Sequence, residues 1–301
     1  MPSRIFQIRY RLFTAVLLGL SPAALLQFSS FAAEESTQDK PQRNVDGIMD
    51  NSFFIEEAYN QEAGVVQNIW NAFYAVDRVR GPDDKLLLMS FTQEWPLFSQ
   101  DHQLSYTLPY NFSRSGGRSS NGIGDVLLNY RYQAYFNKHS LTAFAPRVSL
   151  IVPTGDEALG FGDNSWGWQF NLPFSTTLGD HWFVHANAGL TFLPNSGPPP
   201  REDLLHYNLG ASVIYAATPD LHFMLEWVSI WNQVRGELGG LRREHSPIIS
   251  PGLRKAFNFA NGSQLTLGVA APIGLSASAP DFGAFLYVSF EHFFTKQEPA
   301  K

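Results

Sequence analysis

The chain has 301 residues, no cysteine, 44% hydrophobic and 16% charged residues, and a formal charge of −6. The missing cysteines exclude a disulfide framework, a thiol nucleophile and a thiolate-held metal. The acidic balance argues against nucleic acid as a partner, and the mean hydropathy of −0.14 would conceal any strict alternation of apolar and polar residues, which cancel in an average.

Residues 1–32 read as a secretory signal peptide. Arg4, Arg9 and Arg11 give a basic start, Leu12 to Leu26 an apolar run, and Ser30-Phe31-Ala32 the small residues of a cleavage site. Cleavage near Ala32 removes three positive charges and moves the formal charge from −6 to −9. A membrane anchor is the competing reading, disfavoured by Pro22 and the short run. Residues 33–51 are polar and unpatterned, a flexible periplasmic leader. Residues 52–63 have helix-friendly composition, with Ser52 ahead of Ile55 and acids Glu56 and Glu57 in the first turn. They are expected to form a short helix or plug. No later run reaches about 18 apolar residues, so no transmembrane helix is expected.

From Gly64 onward a period of two dominates. It is clearest over Trp166–Leu178, where Trp166, Trp168, Phe170, Leu172, Phe174 and Leu178 share one face and Gly167, Gln169, Asn171, Pro173, Ser175 and Thr177 the other. Similar strands are predicted at 64–76, 85–97, 102–112, 123–136, 141–152, 182–193, 204–215, 221–233, 247–257, 264–273 and 282–294. In 85–97 the faces conflict: Leu86 and Leu88 oppose Leu87, Met89 and Phe91. A bulge or an apolar patch facing a plug would explain that. Connections after even strands are short. Those after odd strands are longer and rich in Gly, Pro or charge, as in 113–122, 153–164, 194–203 and 234–245. Aromatics fall near both strand ends. The fold class is therefore all-β: an antiparallel transmembrane β-barrel of about 12 strands over 64–294, with a short N-terminal helical segment and a tail at 295–301. A soluble β-sandwich or lipocalin-like barrel is the competing architecture.

Three stretches together, Ile55–Gln67 (I-E-E-A-Y-N-Q-E-A-G-V-V-Q), Asn121–Tyr132 (N-G-I-G-D-V-L-L-N-Y-R-Y) and Val152–Asp156 (V-P-T-G-D), resemble the outer-membrane β-barrel transporter family labelled "putative MetA pathway of phenol degradation". The resemblance implies the outer membrane of a Gram-negative bacterium, contact with membrane lipids, and passive passage of small solutes, aromatic or hydrophobic compounds among them. It also implies barrel-assembly machinery as a partner during biogenesis. Outer-membrane barrels usually end on an aromatic assembly signal; here Phe293-Phe294 is followed by T-K-Q-E-P-A-K.

Parity assigns Asp125, Arg131, Arg147, Gln169, Asn171, His185, His222, Glu226, Arg254 and Glu291 to the lumen. Arg131 and Arg147 fall opposite or nearly opposite on adjacent strands and need a counter-anion. Two accounts stay open: a constriction ladder that attracts anionic or polar solutes, or a pair neutralised by Glu56, Glu57 or Glu62 entering as a plug. Glu226 and Arg254 are expected to pair. No H-E-x-x-H or G-x-S-x-G is present, His185, His206 and His222 read as lining residues, and no catalytic residue, cofactor or metal is expected. Asp156, Glu157 and Asp163 are the weak exception, a calcium-type loop or simply a solvated one. A closed barrel that binds a partner through its loops is the alternative to a channel.

Overall fold

A computed structural model describes residues 48, 51–78, 83–236 and 240–294. The expected signal peptide and cleavage site, most of the expected leader and residues 295–301 lie outside the described residues.

The alternating stretches form 12 antiparallel strands. These are β1 (Val65–Asp77), β2 (Asp84–Leu97), β3 (Ser99–Ser115), β4 (Arg118–Ile123, Val126–Tyr132 and Tyr135–Asn137), β5 (Thr142–Phe144 and Arg147–Val152) and β6 (Gly167–Asn171 and Phe174–Leu178). They continue with β7 (Trp182–Ser196), β8 (Glu202–Thr218), β9 (Leu221–Arg235), β10 (Leu241–Asn258), β11 (Gln264–Ala270 and Ile273–Gly274) and β12 (Phe282–Phe293). Each pairs with its neighbours in sequence, and β12 closes on β1 from Val65↔Phe293 to Val76↔Phe282. Closure satisfies the backbone around the ring and leaves no edge. The interruptions in β5, β6 and β11 fall at Pro146, Pro173 and Pro272, which have no N–H to give the ladder.

The greasy face of β6 is uncovered: its six bulky residues from Trp166 to Leu178 are 38–60% exposed, while Gln169, Asn171 and Ser175 are buried inside. Such a face is stable only against lipid.

Two expectations are corrected. The stretch 113–122 is a hairpin rather than an open loop, because Gly116 and Gly117 take positive φ (56° and 79°) and close a two-residue turn between β3 and β4. Likewise β7 to β10 run past the expected ends of their strands, leaving 153–166 as the longest irregular connection among the described residues. The second correction concerns 52–63, which is not helical: bends at 53–55 and 58 and otherwise irregular backbone carry it through the barrel. Its amides find side chains on the barrel wall instead of carbonyls four residues back, so tertiary partners override local propensity.

Candidate functional site: the plugged lumen

The wall presents a chain of polar side chains, and residues 51–61 thread through it. The amides of Phe54 and Ile55 donate to Glu226 Oε1 (2.8 and 3.2 Å), that of Glu56 to Asn187 Oδ1 (2.7 Å), and that of Ala58 to Ser175 Oγ (2.8 Å). Further on, the Asn60 and Gln61 amides donate to Gln133 Oε1 (3.1 Å) and Gln103 Oε1 (2.7 Å). Six staves thus reach this segment, counting Arg254 of β10.

Arg131 and Arg147 stand directly opposite each other across β4 and β5. Glu56 lies between them, with Oε1 3.2 Å from Arg131 Nη1 and Oε2 2.9 Å from Arg147 Nε. Asn171 Nδ2 donates to the same carboxylate at 2.7 Å. Burial pushes the Glu56 pKa up, but Arg147, Arg131 and their hydrogen bonds outweigh it and hold the group below its ordinary 4.5. Arg131 also grips the backbone, donating to the carbonyls of Glu57 (3.0 Å) and Tyr59 (2.6 Å) and to Asn60 Oδ1 (2.8 Å). Arg147 Nη2 donates to Gln169 Oε1 at 3.1 Å. Glu94 Oε2 lies 4.0 Å from Arg131.

A second cluster holds the next carboxylate. Arg254 lies 3.3 Å from Glu57 and donates to the carbonyl of Asn51 (2.8 Å). His185 Nε2 is 3.6 Å from Glu57, and its Nδ1 meets Ser175 Oγ at 2.7 Å. Tyr59 lies beside them, its hydroxyl donating to the Leu141 carbonyl (2.7 Å); burial, then the nearby Glu57 charge, push its pKa up. Glu226 and Arg254, expected as a pair at similar height, do not face each other across the ladder. The register sets His222, not Glu226, opposite Arg254, and Glu226 is taken by the Phe54 and Ile55 amides. Glu62 sits at the turn into β1, its carbonyl accepting the Val65 amide (3.0 Å).

Asp125 is buried, but it serves the 153–166 connection rather than an open lumen. Its two oxygens accept the amides of Gly155 (2.9 Å) and Asp163 (3.0 Å). Asp156 accepts the Leu159 amide (3.2 Å) and Glu157 accepts from Asn164 (3.0 Å). Among the described residues no three potential ligands converge to hold a metal.

The larger omission of the sequence reading is an apolar inner wall. Phe285, Phe73 and Leu88 lie side by side on β12, β1 and β2, and all three are inward and buried. Phe53 stacks on Phe285 (5.3 Å) and Phe54 meets Phe73 edge-on (5.7 Å). The conflict at Leu86 and Leu88 is therefore a plug-facing patch: the β1–β2 register runs unbroken, so no bulge is involved. Inward glycines seat the plug. A Cβ at Gly268 would lie 2.5 Å from the Phe53 ring, and one at Gly210 would collide with Ile55 Cδ1. An open chamber of about 130 Å³ remains between the plug and the β1–β6 wall, bounded by Phe54, Asn71, Thr107, Leu127 and Arg147 among others.

A closed, lipid-facing, 12-strand barrel with its lumen occupied by an N-terminal segment defines an outer-membrane β-barrel. A family model described as "Putative MetA-pathway of phenol degradation" matches residues 55–290, and the chain belongs to that family. Among solved structures it is similar to the COG4313 outer membrane channel of Pseudomonas putida F1 (17% identity, TM-score 0.56, covering 79% of this chain and 98% of that one). It is also similar to the translocator domain of the autotransporter NalP of Neisseria meningitidis (12%, TM-score 0.48, 78% and 90%). A search of curated proteins found no match. The family membership and the likeness to the Pseudomonas putida channel carry the fold: an outer-membrane barrel in contact with lipid.

Proposed function

We propose that the chain is an outer-membrane channel for passive passage of small, largely apolar solutes, held shut by residues 51–63. The observation that carries this is the apolar inner wall, since side chains such as Phe73, Leu88 and Phe285 favour an apolar guest over bulk water. The family membership and the channel among similar structures support the same reading. The arginine pair does not make an anion ladder here, because Glu56 offsets it. A closed barrel without transport is the second reading, favoured by the many side chains that grip the segment.

The two separate in planar bilayers and in solute flux into liposomes. The full chain and a version lacking residues 33–63 are compared, both checked for folding. Openings and flux that rise in the shortened version support the channel. Silence from both, with folded protein, leaves the closed barrel. The reading includes no enzymatic step, as Ser175 and His185 are buried beneath the plug; ester turnover abolished by His185→Ala or His222→Ala would overturn that. It includes export by a signal peptide cut after Ala32, a leader over 33–51 in the periplasm and insertion by the barrel-assembly machinery. N-terminal sequencing of the mature protein from outer membranes tests the cut.

A further inference from the structure

We infer that Lys85 and Arg114, on the outer surface of the barrel at its extracellular end, form a binding site for the phosphate head of an outer-leaflet glycolipid. The inference needs only the lipid-facing barrel and is independent of whether the lumen conducts. The extracellular end is the one that carries the 153–166 connection, since outer loops are longer than periplasmic turns.

Register carries the first step. Lys85 on β2 stands directly opposite Arg114 on β3. Both face outward: Lys85 shares the parity of Met89 and Arg114 that of Phe112, which are 37% and 42% exposed, whereas Leu86 and Leu88 of the other parity are buried. Directly opposed residues have Cβ atoms about 4.5–5.5 Å apart, and like charges there destabilise a sheet. The same outward row continues to Val76 on β1 and Ser119 on β4, so over these four staves it holds two cations and no acid. Asp84 is next to Lys85 in sequence but faces inward, where its carboxylate accepts the Gly116 amide at 3.1 Å. Asp83 lies beyond the end of β2. Neither cation makes an ion pair among the described residues. Other cations of this rim are already engaged: Arg235 pairs with Glu202 (3.5 Å), Arg242 with Glu244, and Arg243 lies over the Tyr207 ring (4.8 Å).

The opposed arginines inside the barrel show what such a pair requires, one anion shared by both, and there Glu56 supplies it. On the outside the protein supplies none, and the place in the membrane decides which anion is at hand. Lys85 and Arg114 sit two residues above the Leu87–Phe112 pair, about 7 Å along the strands. Tyr110 and Phe112 pack ring against ring just below (5.0 Å). Outward aromatics of this kind mark the headgroup level. The two cations therefore stand at or just beyond that level, where the outer leaflet of a Gram-negative membrane carries phosphorylated glycolipid. A phosphate has oxygens enough to accept from both side chains, and such charge-assisted bonds are strong.

The test uses the purified full chain in a neutral detergent and native mass spectrometry. The probes are diphosphorylated lipid A, the same lipid with its phosphates removed, and inorganic phosphate. The phosphorylated lipid should bind about thirty-fold tighter than the dephosphorylated one, roughly five-fold for each cation. Lys85→Gln and Arg114→Gln should each lose about five-fold, and the double variant should approach the dephosphorylated level. Lys85→Glu sets an acid opposite Arg114, so the pair satisfies itself and the preference for phosphate should vanish. Lys255→Gln removes an equal charge from the opposite rim, where Lys255 lies over the Phe257 ring, and should leave the preference unchanged. Equal binding of the two lipids by the wild-type chain overturns the site and needs no variant to fold. A preference that survives the double variant overturns it as well. Displacement of lipid A by an equal concentration of inorganic phosphate would overturn the lipid assignment in favour of a free anion.

Discussion

Glu56→Gln removes the one carboxylate shared by two opposed arginines while keeping the size of the side chain. Each contact, at 3.2 and 2.9 Å between nearest atoms, is worth roughly 4 kcal/mol for unit charges about 4 Å apart at an effective dielectric near 20. The change also relieves the carboxylate of its desolvation, which offsets much of that sum. Breaking a buried pair typically costs about 3–5 kcal/mol net. The Glu56 and Arg147 side chains are 17% and 16% exposed, so the lower end, about 3 kcal/mol, applies. That cost falls on the plugged state: in an opened lumen both arginines are hydrated, and the 12-strand ladder does not depend on Glu56. The plugged state should lose about a hundred-fold in population. Hydrogen exchange reads this at the amides of Phe54, Ile55, Glu56 and Ala58, whose acceptors are Glu226, Asn187 and Ser175. Their protection should fall by about that factor while the strand amides keep theirs, and channel openings should become more frequent. Unchanged protection at these four amides would refute the electrostatic latch.

Glu56 also makes the latch pH-dependent. Its pKa in the folded chain lies below the ordinary 4.5, so its stabilisation is complete above the unfolded value and is lost as pH falls through the folded one. Wild-type openings in bilayers should rise only below about pH 4.5, and Glu56→Gln should show no such rise. Gly268→Val places a branched side chain where a Cβ already lies 2.5 Å from the Phe53 ring. It should unseat the plug by about 1–3 kcal/mol without lowering the barrel's melting temperature, since valine suits a strand; Phe53→Ala in the same chain should restore closure. Phe170→Arg puts a charge on the exposed face of β6 and should destabilise the barrel in lipid vesicles by about 2–4 kcal/mol in a denaturant titration. An unchanged midpoint would show that this face does not meet lipid.

The strands were legible because lipid imposes a rule on one face: every second residue is apolar, and from Trp166 to Leu178 only Thr176 departs from it. The opposed arginines were legible for a related reason, since a short hairpin pins the register of β4 against β5. The lumen obeys no such rule. Its inward positions carry Arg131 and Asn171 at one height and Phe73, Leu88 and Phe285 at another, so alternation fades where both faces are apolar. Leu86 and Leu88 were the visible sign of this. The N-terminal segment was misread as a helix because Glu56, Glu57 and Ala58 suit one, whereas the acceptors that hold it in place come from β3, β4 and staves far along the chain. The Glu226–Arg254 pairing is offset along the ladder, where Glu226 faces Ser250 and Arg254 faces His222, a height that face assignment alone cannot supply.

The manner in which the segment is held bears on whether it can leave. Its amides go to side-chain oxygens of Glu226, Asn187, Ser175, Gln133 and Gln103, not to another strand's backbone. Water can replace each of those acceptors, and the freed wall residues are polar groups that water also solvates. A strand of the barrel has no such exchange open to it, because its outer face meets lipid and its backbone groups would be left unpaired. When the segment withdraws, Ala58 and Tyr59 lose their packing against Ala143, Ala145 and Phe136, and Phe53, Phe54 and Ile55 lose an apolar environment further along. An apolar solute entering between them and the Phe73–Phe285 wall would take over the same surface. Solute entry and plug release are therefore coupled in the favourable direction: a guest that covers the Phe73–Phe285 patch removes that apolar part of the latch, and what remains is the Glu56 bridge, the Glu57–Arg254 pair, the Tyr59 packing and a set of hydrogen bonds that water can exchange.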